Sequence, residues 1–150
     1  MDTVTKALND TLTLITQCKS LMPADDDSLP VKKQGETCKE IRRIIKKALR
    51  RMIDFDELVI DGLNTEELIK VILKSQKYSN CLHNLVLEIG DELSSATDLH
   101  KDAIADVKDI QLDLQRFITK TIKELATLHS VKQESDALDK FSKKFDHLTI

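Results

Sequence analysis

The sequence predicts an all-α fold of four or five helices, packed as a bundle or as a long helical hairpin with coiled-coil-like contacts. Three observations predict it. Both prolines lie near the N-terminus, at Pro23 and Pro30, and only three glycines follow them. Apolar residues make up 41% of the chain and recur at helical spacing, whereas aromatic residues make up only 3%. Since sheets favour aromatic and β-branched side chains, this composition favours helices packed through Leu, Ile, Val and Ala.

The first part of the chain predicts one helix followed by a loop. Within a single domain, residues 1–22 form the N-terminal helix, residues 23–30 a loop rich in proline and aspartate, and residues 31–150 the main bundle. Asp2 or Thr3 is expected to cap the first helix. Its expected apolar stripe, with two flanking leucines, comprises Val4, Leu8, Thr11, Leu12, Leu14, Ile15, Cys18 and Met22.

The second helix is expected from Val31 or Glu36 to about Phe55. Its apolar stripe comprises Cys38, Ile41, Ile44, Ile45, Ala48, Leu49 and Met52. After it, Gly62 can end a helix in the left-handed conformation. Asn64 then has the position of an N-cap, because Glu67 follows three residues later as in a capping box. Leu63 and Leu68 are spaced as a hydrophobic staple around this start.

The third helix is expected from Thr65 to about Ala96, with a break possible at Ser79 or Gly90. Its apolar positions alternate spacings of four and three, which is typical of a coiled coil. Two serines in the middle weaken the pattern, whose positions are Leu68, Ile72, Ser75, Ser79, Leu82, Val86, Ile89, Leu93 and Ala96.

A turn at residues 94–98 is expected to lead into a fourth helix from about Asp98. Two alternatives remain for its end. Either a short terminal helix carrying Leu138, Phe141 and Phe145 begins near Ser135, or the fourth helix continues beyond Lys140. Its apolar stripe comprises Ile104, Val107, Ile110, Leu114, Phe117, Ile118, Ile122, Leu125 and Leu128.

The two long helices supply the candidate helix-packing interface. Helices of this length exceed the average of about 11–12 residues and need a partner along their whole length. The stripes either pair with each other inside the chain or form seams for other helical subunits. The candidate interface residues are Leu82, Val86, Ile89, Leu93, Ile104, Val107, Leu114, Ile118 and Leu125.

No catalytic, cofactor-binding or metal-binding residues are predicted. Three scattered glycines cannot build a phosphate-binding loop. The histidines have none of the spacings of known metal sites and are expected on the helix surface: His83, His100, His129 and His147. The cysteines are odd in number and lack a C-x-x-C spacing, so free core thiols in a reducing compartment are expected: Cys18, Cys38 and Cys81.

A basic run on the second helix is the most distinctive feature of the sequence. Its side chains centre opposite the apolar stripe; they are Lys39, Arg42, Arg43, Lys46, Lys47, Arg50 and Arg51. Basic amphipathic helices bind polyanions, anionic membranes or acidic proteins. An acidic stretch at residues 54–67 follows and could pair with the basic face in the fold. Three interpretations of this helix remain open: its basic face is solvated, it binds an acidic protein, or it binds nucleic acid or a membrane.

The remaining features define the function hypotheses. The net charge of −3 argues against a protein that wraps nucleic acid. No apolar run exceeds three residues and no secretory signal is recognisable, so an intracellular protein of cytoplasm or nucleus is expected. The first hypothesis is a non-enzymatic helical adaptor or structural subunit of a multi-protein assembly, such as a kinetochore, vesicle-tethering or coactivator complex. The alternative is binding of DNA or another polyanion through the basic helix at residues 39–51. A stand-alone helical enzyme is the third.

Overall fold

The described residues form four α-helices. The computed structural model describes the backbone of residues 2–23, 29–51 and 54–148, and the side chains of residues 2–23, 29–48 and 54–130. Within these ranges all regular structure is helical, which confirms the predicted all-α fold. The helices are α1 (Asp2–Ser20), α2 (Val31–Arg51), α3 (Thr65–Glu92) and α4 (Asp98–Leu148), with short 3-10 helices at Phe55–Glu57 and Ser94–Ala96.

The helices surround one core in the order α1, α2, α4, α3. Both α2 and α3 pack on α4, and α1 packs on α2 and α3. A Cβ atom placed on Gly35 of α2 would lie 3.5 Å from Leu99 Cδ1, and Arg42 further along α2 bonds Asp106. Because both residue numbers rise together, α2 runs parallel to α4.

The α3–α4 pair is an antiparallel hairpin. Gln115 on α4 donates a hydrogen bond to the hydroxyl of Ser79 on α3. A Cβ atom on Gly90 would lie 3.7 Å from Ile104 Cδ1. These two contacts share one register, which sets Thr65 at the start of α3 opposite about residue 129 of α4.

Beyond that point α4 continues to Leu148. This last part of α4, roughly 19 residues, extends about 28 Å beyond the level at which α3 begins. The predicted helix extending beyond Lys140 is therefore confirmed, and the restart near Ser135 is wrong because no proline or glycine interrupts this segment. The side chains of Leu138, Phe141 and Phe145 lie outside the described residues.

Every predicted heptad position of α3 is buried, including both serines. Of the two possibilities for this helix, the structure shows the uninterrupted one, since α3 passes through both Ser79 and Gly90. Both residues face α4, since Ser79 bonds Gln115 and a Cβ atom on Gly90 would be in ordinary contact with Ile104. The α-helix ends at Glu92, earlier than the expected end near Ala96, and residues 94–96 form a 3-10 helix instead. Thr97, with a positive φ of 55°, then leads into α4.

In α1, two expectations need correction. The helix already includes Asp2, so Asp2 and Thr3 lie in its first turn rather than at its N-cap. Leu12 is 43% exposed, whereas Ala7 is buried. At about 100° per residue, Leu12 lies roughly 80° from Val4, outside the face that α2 and α3 cover. Thr11 is buried as expected, and its hydroxyl donates to the Ala7 carbonyl at 2.8 Å.

The connection from α2 to α3 runs along α4 and forms part of the core. It was expected to be helical as far as Phe55, but α2 ends at Arg51 and Phe55 begins a separate 3-10 helix. The ring centroids of Phe55 and Phe117 lie 5.4 Å apart. Lys120 Nζ on α4 donates a hydrogen bond to the Leu58 carbonyl at 2.9 Å. Leu49 and Met52 of the predicted stripe have side chains outside the described residues.

The predicted start of α3 is confirmed. Asn64 accepts a hydrogen bond from the Glu67 backbone N–H at 2.8 Å, and Glu67 Oε1 accepts one from the Asn64 N–H at 3.2 Å. Leu63 and Leu68, the staple positions, are both buried in the core. Gly62 does adopt a left-handed conformation, with φ of 86°. It lies in a turn of the connection, however, and does not end a helix.

Candidate functional site

The residues of the predicted helix-packing interface pack against one another in the core of the chain. Ile104 and Leu125 are partly buried, and the other seven residues are almost fully buried in the shared core. Of the two alternatives for the long helices, the structure therefore shows pairing within the chain. Any partner of the folded chain has to contact other side chains.

Such side chains are present on the outside of the α3–α4 hairpin. On α3, Ile69, Leu73 and Leu87 are 42%, 60% and 52% exposed, and on α4 Leu112 and Ile122 are 51% and 44% exposed. Ile122 was expected in the buried stripe of α4, so that prediction is wrong. The sequence pattern did not single out Ile69, Leu73, Leu87 and Leu112, although each is an apolar residue outside the predicted stripes. We call these five residues the seam face.

The seam face follows one edge of the hairpin. At about 100° per residue, Ile69, Leu73 and Leu87 lie within roughly 40° of one another around α3. They adjoin the side on which Gly90 meets α4. On α4, Ile122 lies within about 20° of Gln115, which contacts α3. The antiparallel register places Ile122 at the level of Leu73 and Ile69.

Some basic residues of α2 form ion pairs within the described part of the chain, and others do not. Arg42 Nε lies 2.9 Å from Asp106 Oδ2, and Arg42 Nη1 lies 3.6 Å from Asp102 Oδ2. The hydrogen bond to Asp106 raises the pKa of Arg42. Arg43 Nε lies 3.0 Å from Glu40 Oε2, and the hydrogen bond from Arg43 lowers the pKa of Glu40.

The pairing of the basic run with residues 54–67, which the sequence left open, is not found among the described residues. The partners of Arg42 come from α4, because α2 runs parallel to α4 and places Arg42 beside the acidic first turns of that helix. The acidic stretch begins only after α2 has ended. Lys39, Lys46 and Lys47 are exposed and form no ion pair within the described part of the chain. The side chains of Arg50 and Arg51 lie outside it.

A groove of about 410 Å³ lies between α1 and α2. Leu14, Leu21 and Ile44 contribute apolar lining, and charged groups of both signs are mixed around it, including Asp10 and Lys47. One carboxylate oxygen of Asp10 is buried without a hydrogen-bond partner among the described residues. The mixed charge does not define an anion site.

The cysteines lie in different environments. Burial raises the pKa of the Cys18 thiol to about 12 and also raises that of Cys38. Cys81 is half-buried, and all three cysteines are free. Across the described residues, no group of three or more His, Cys, Asp or Glu side chains could hold a metal ion. His83 is exposed as expected, and the predicted surface residue His147 lies outside the described side chains.

No helix in the described part of the chain is long and apolar enough to cross a membrane. Comparisons with protein-family models, with curated proteins and with solved structures found no match to this chain.

Proposed function

We propose that this chain is a non-enzymatic, intracellular helical adaptor that binds another protein through the seam face. The observation that supports this proposal most directly is the set of five large aliphatic side chains exposed along one helical hairpin. Scattered exposed aliphatics are ordinary, whereas a contiguous apolar surface is typical of an interaction site. The kind of assembly is a multi-subunit complex of the kinetochore, tethering or coactivator type.

The seam face can supply a useful part of a binding free energy. Full burial of a Leu or Ile side chain is worth about 1.5–3 kcal/mol, and these five are roughly half exposed. Covering them would contribute on the order of 5 kcal/mol, whereas a micromolar complex requires about 8 kcal/mol. The polar side chains around the face would add the remainder and select the partner.

The test combines two substitutions at the seam face. The variant Leu73→Gln with Ile122→Gln and the native chain would be purified from native cells after nuclease treatment, and stoichiometric companions quantified by mass spectrometry. We expect a companion protein with the native chain and its loss with the variant. The matched control is Leu12→Gln with Val59→Gln, which changes two exposed aliphatics elsewhere. A native chain that emerges alone, or a companion retained by the variant, would refute the proposal.

The second candidate function is binding of DNA or another polyanion by α2. The ammonium groups of Lys39, Lys46 and Lys47 favour it, because they are exposed and form no ion pair with any side chain that the structure describes. Their joint replacement by Glu is a cleaner test than replacement of Arg42, whose side chain connects α2 to α4.

A labelled DNA duplex titrated at several salt concentrations provides the measurement. If the three lysines contact phosphates, the slope of log affinity against log salt falls by about 3 in the triple Glu variant. Lys6, Lys101 and Lys108 replaced by Glu give a control with the same change of charge. Equal slopes for both variants would exclude α2 as the polyanion site.

A further inference from the structure

Six basic side chains lie at one end of the α3–α4 hairpin, together with the carboxylates of Glu66, Glu67 and Glu124. The early turns of α3 carry Lys70, Lys74 and Lys77, and the stretch of α4 that lies opposite them carries Arg116, Lys120 and Lys123. The antiparallel register brings these six residues to the same end of the hairpin. Ile69, Leu73 and Ile122 of the seam face lie at this same end.

The basic side chains border the apolar residues on both sides. At about 100° per residue, Lys77 lies roughly 40° beyond Leu73 on the side of α3 away from α4. On α4, Lys123 lies about 100° beyond Ile122, on the side away from α3. An aliphatic strip along the seam therefore has an ammonium group at each margin.

Some of these cations are already used within the chain, and others are not. Lys70 pairs with Glu66 at 3.4 Å, Arg116 with Asp113 at 3.6 Å, and Lys120 with a backbone carbonyl. By contrast, Lys74, Lys77 and Lys123 are exposed and have no ion pair among the side chains that the structure describes. Their charge is available to a partner.

We infer that the seam face receives an acidic amphipathic helix from another protein. Leu or Ile side chains of that helix would cover Ile69, Leu73 and Ile122, and its flanking Glu or Asp side chains would face Lys77 and Lys123. This inference rests on the proposed function and specifies the partner's chemistry at the same surface.

The dimensions of the surface suit a helix. Two packed helices leave a groove along their seam, and a third helix can fill it with side chains spaced three and four apart. Ile69 to Leu87 spans about 27 Å, the length of a helix of roughly five turns. Gln76 and Asn80 lie between these aliphatics and are exposed. Such interruptions suit a protein interface better than insertion into a membrane, which also favours Trp or Phe on the apolar face.

The probe is a fluorescent peptide of about three heptads with Leu at positions a and d and Glu at positions e and g. An otherwise identical peptide with Lys at e and g serves as its control. Fluorescence anisotropy would measure the affinity of each for the full chain. We expect the Glu peptide to bind at least about tenfold more tightly than the Lys peptide.

Protein variants assign this preference to the surface. Lys77→Glu with Lys123→Glu is expected to reverse it, while Lys46→Glu with Lys47→Glu, of equal charge change on α2, leaves it unaltered. Leu73→Gln with Ile122→Gln is expected to weaken binding of the Glu peptide by at least about tenfold. Helical circular dichroism of each variant verifies that it is folded.

Three results would overturn the inference: no binding of the Glu peptide, equal binding of both peptides, or a preference that Lys77 and Lys123 do not control. Vesicles containing phosphatidylserine provide a further arm. If Lys77 and Lys123 control sedimentation with vesicles but not peptide affinity, the surface binds membranes instead. If the Glu peptide fails while the Leu73 and Ile122 variant still loses its cellular companion, the proposed function stands and only the acidic partner is refuted.

Discussion

Arg42 is the residue of the basic helix whose removal is expected to destabilise the fold. Its charge-assisted hydrogen bond to Asp106 is 2.9 Å long, and the two side chains are 30% and 20% exposed. Such bonds contribute about 1.5–3 kcal/mol when well buried, and partial exposure favours the lower end. The 3.6 Å contact with Asp102, which is 56% exposed, adds little. We therefore expect Arg42→Ala to lower the free energy of unfolding by about 1.5 kcal/mol.

Urea unfolding followed by helical circular dichroism measures this loss. With a slope of about 2 kcal/mol per molar, the midpoint should fall by roughly 0.7 M. A double-mutant cycle with Asp106→Ala isolates the pair, and its coupling energy should be about 1 kcal/mol. Lys46→Ala is the matched control on the same helix and should change stability by less than about 0.5 kcal/mol.

A coupling energy below about 0.3 kcal/mol would refute this reasoning. Arg42 would then be a surface charge like its neighbours, and its guanidinium would be free for a ligand. The polyanion-binding test on α2 would have to include it. A coupling of the expected size instead assigns Arg42 to the fold and leaves Lys39, Lys46 and Lys47 as the available cations.

Three further outcomes are expected. Asn64→Ala removes the side-chain half of the capping box and should cost about 1 kcal/mol in urea unfolding; an unchanged midpoint would contradict the cap. Burial, and then nearby carboxylates, raise the pKa of Asp113 above its unfolded value, so its charged form opposes folding at neutral pH and this cost disappears in acid. Asp113→Asn should therefore raise the melting temperature at about pH 7 but not near pH 2.5, and equal shifts would refute this. The Cys18 thiol should react with a thiol reagent only after unfolding, whereas half-buried Cys81 should react in the folded chain; rapid labelling of native Cys18 would contradict its burial.

The helices and the start of α3 could be predicted because their signals are local. The scarcity of proline and glycine allowed long helices, and every heptad position predicted from Leu68 to Ala96 is buried, although the pattern missed the buried Val71, Tyr78 and Leu85. The capping box at Asn64 depends on residues three apart and needs no tertiary contact. The limits of α2 and α4 were harder to predict. Continuation through a residue such as Ser135 depends on weak propensities, and the packing of Phe55 against Phe117 joins residues far apart in the chain.

The sequence by itself determined the helical class, the buried face of each long helix and the position of the basic run, because periodicity and composition report these properties directly. Only the tertiary structure decided which charges and aliphatics remain available. The pairing of Arg42 with Asp106 joins residues 64 positions apart and follows from the parallel packing of α2 on α4. Ile122 is exposed at the level of Ile69 and Leu73 because two antiparallel helices meet in one particular register. That register is set by the combined packing of the whole core, which no local pattern in the chain encodes.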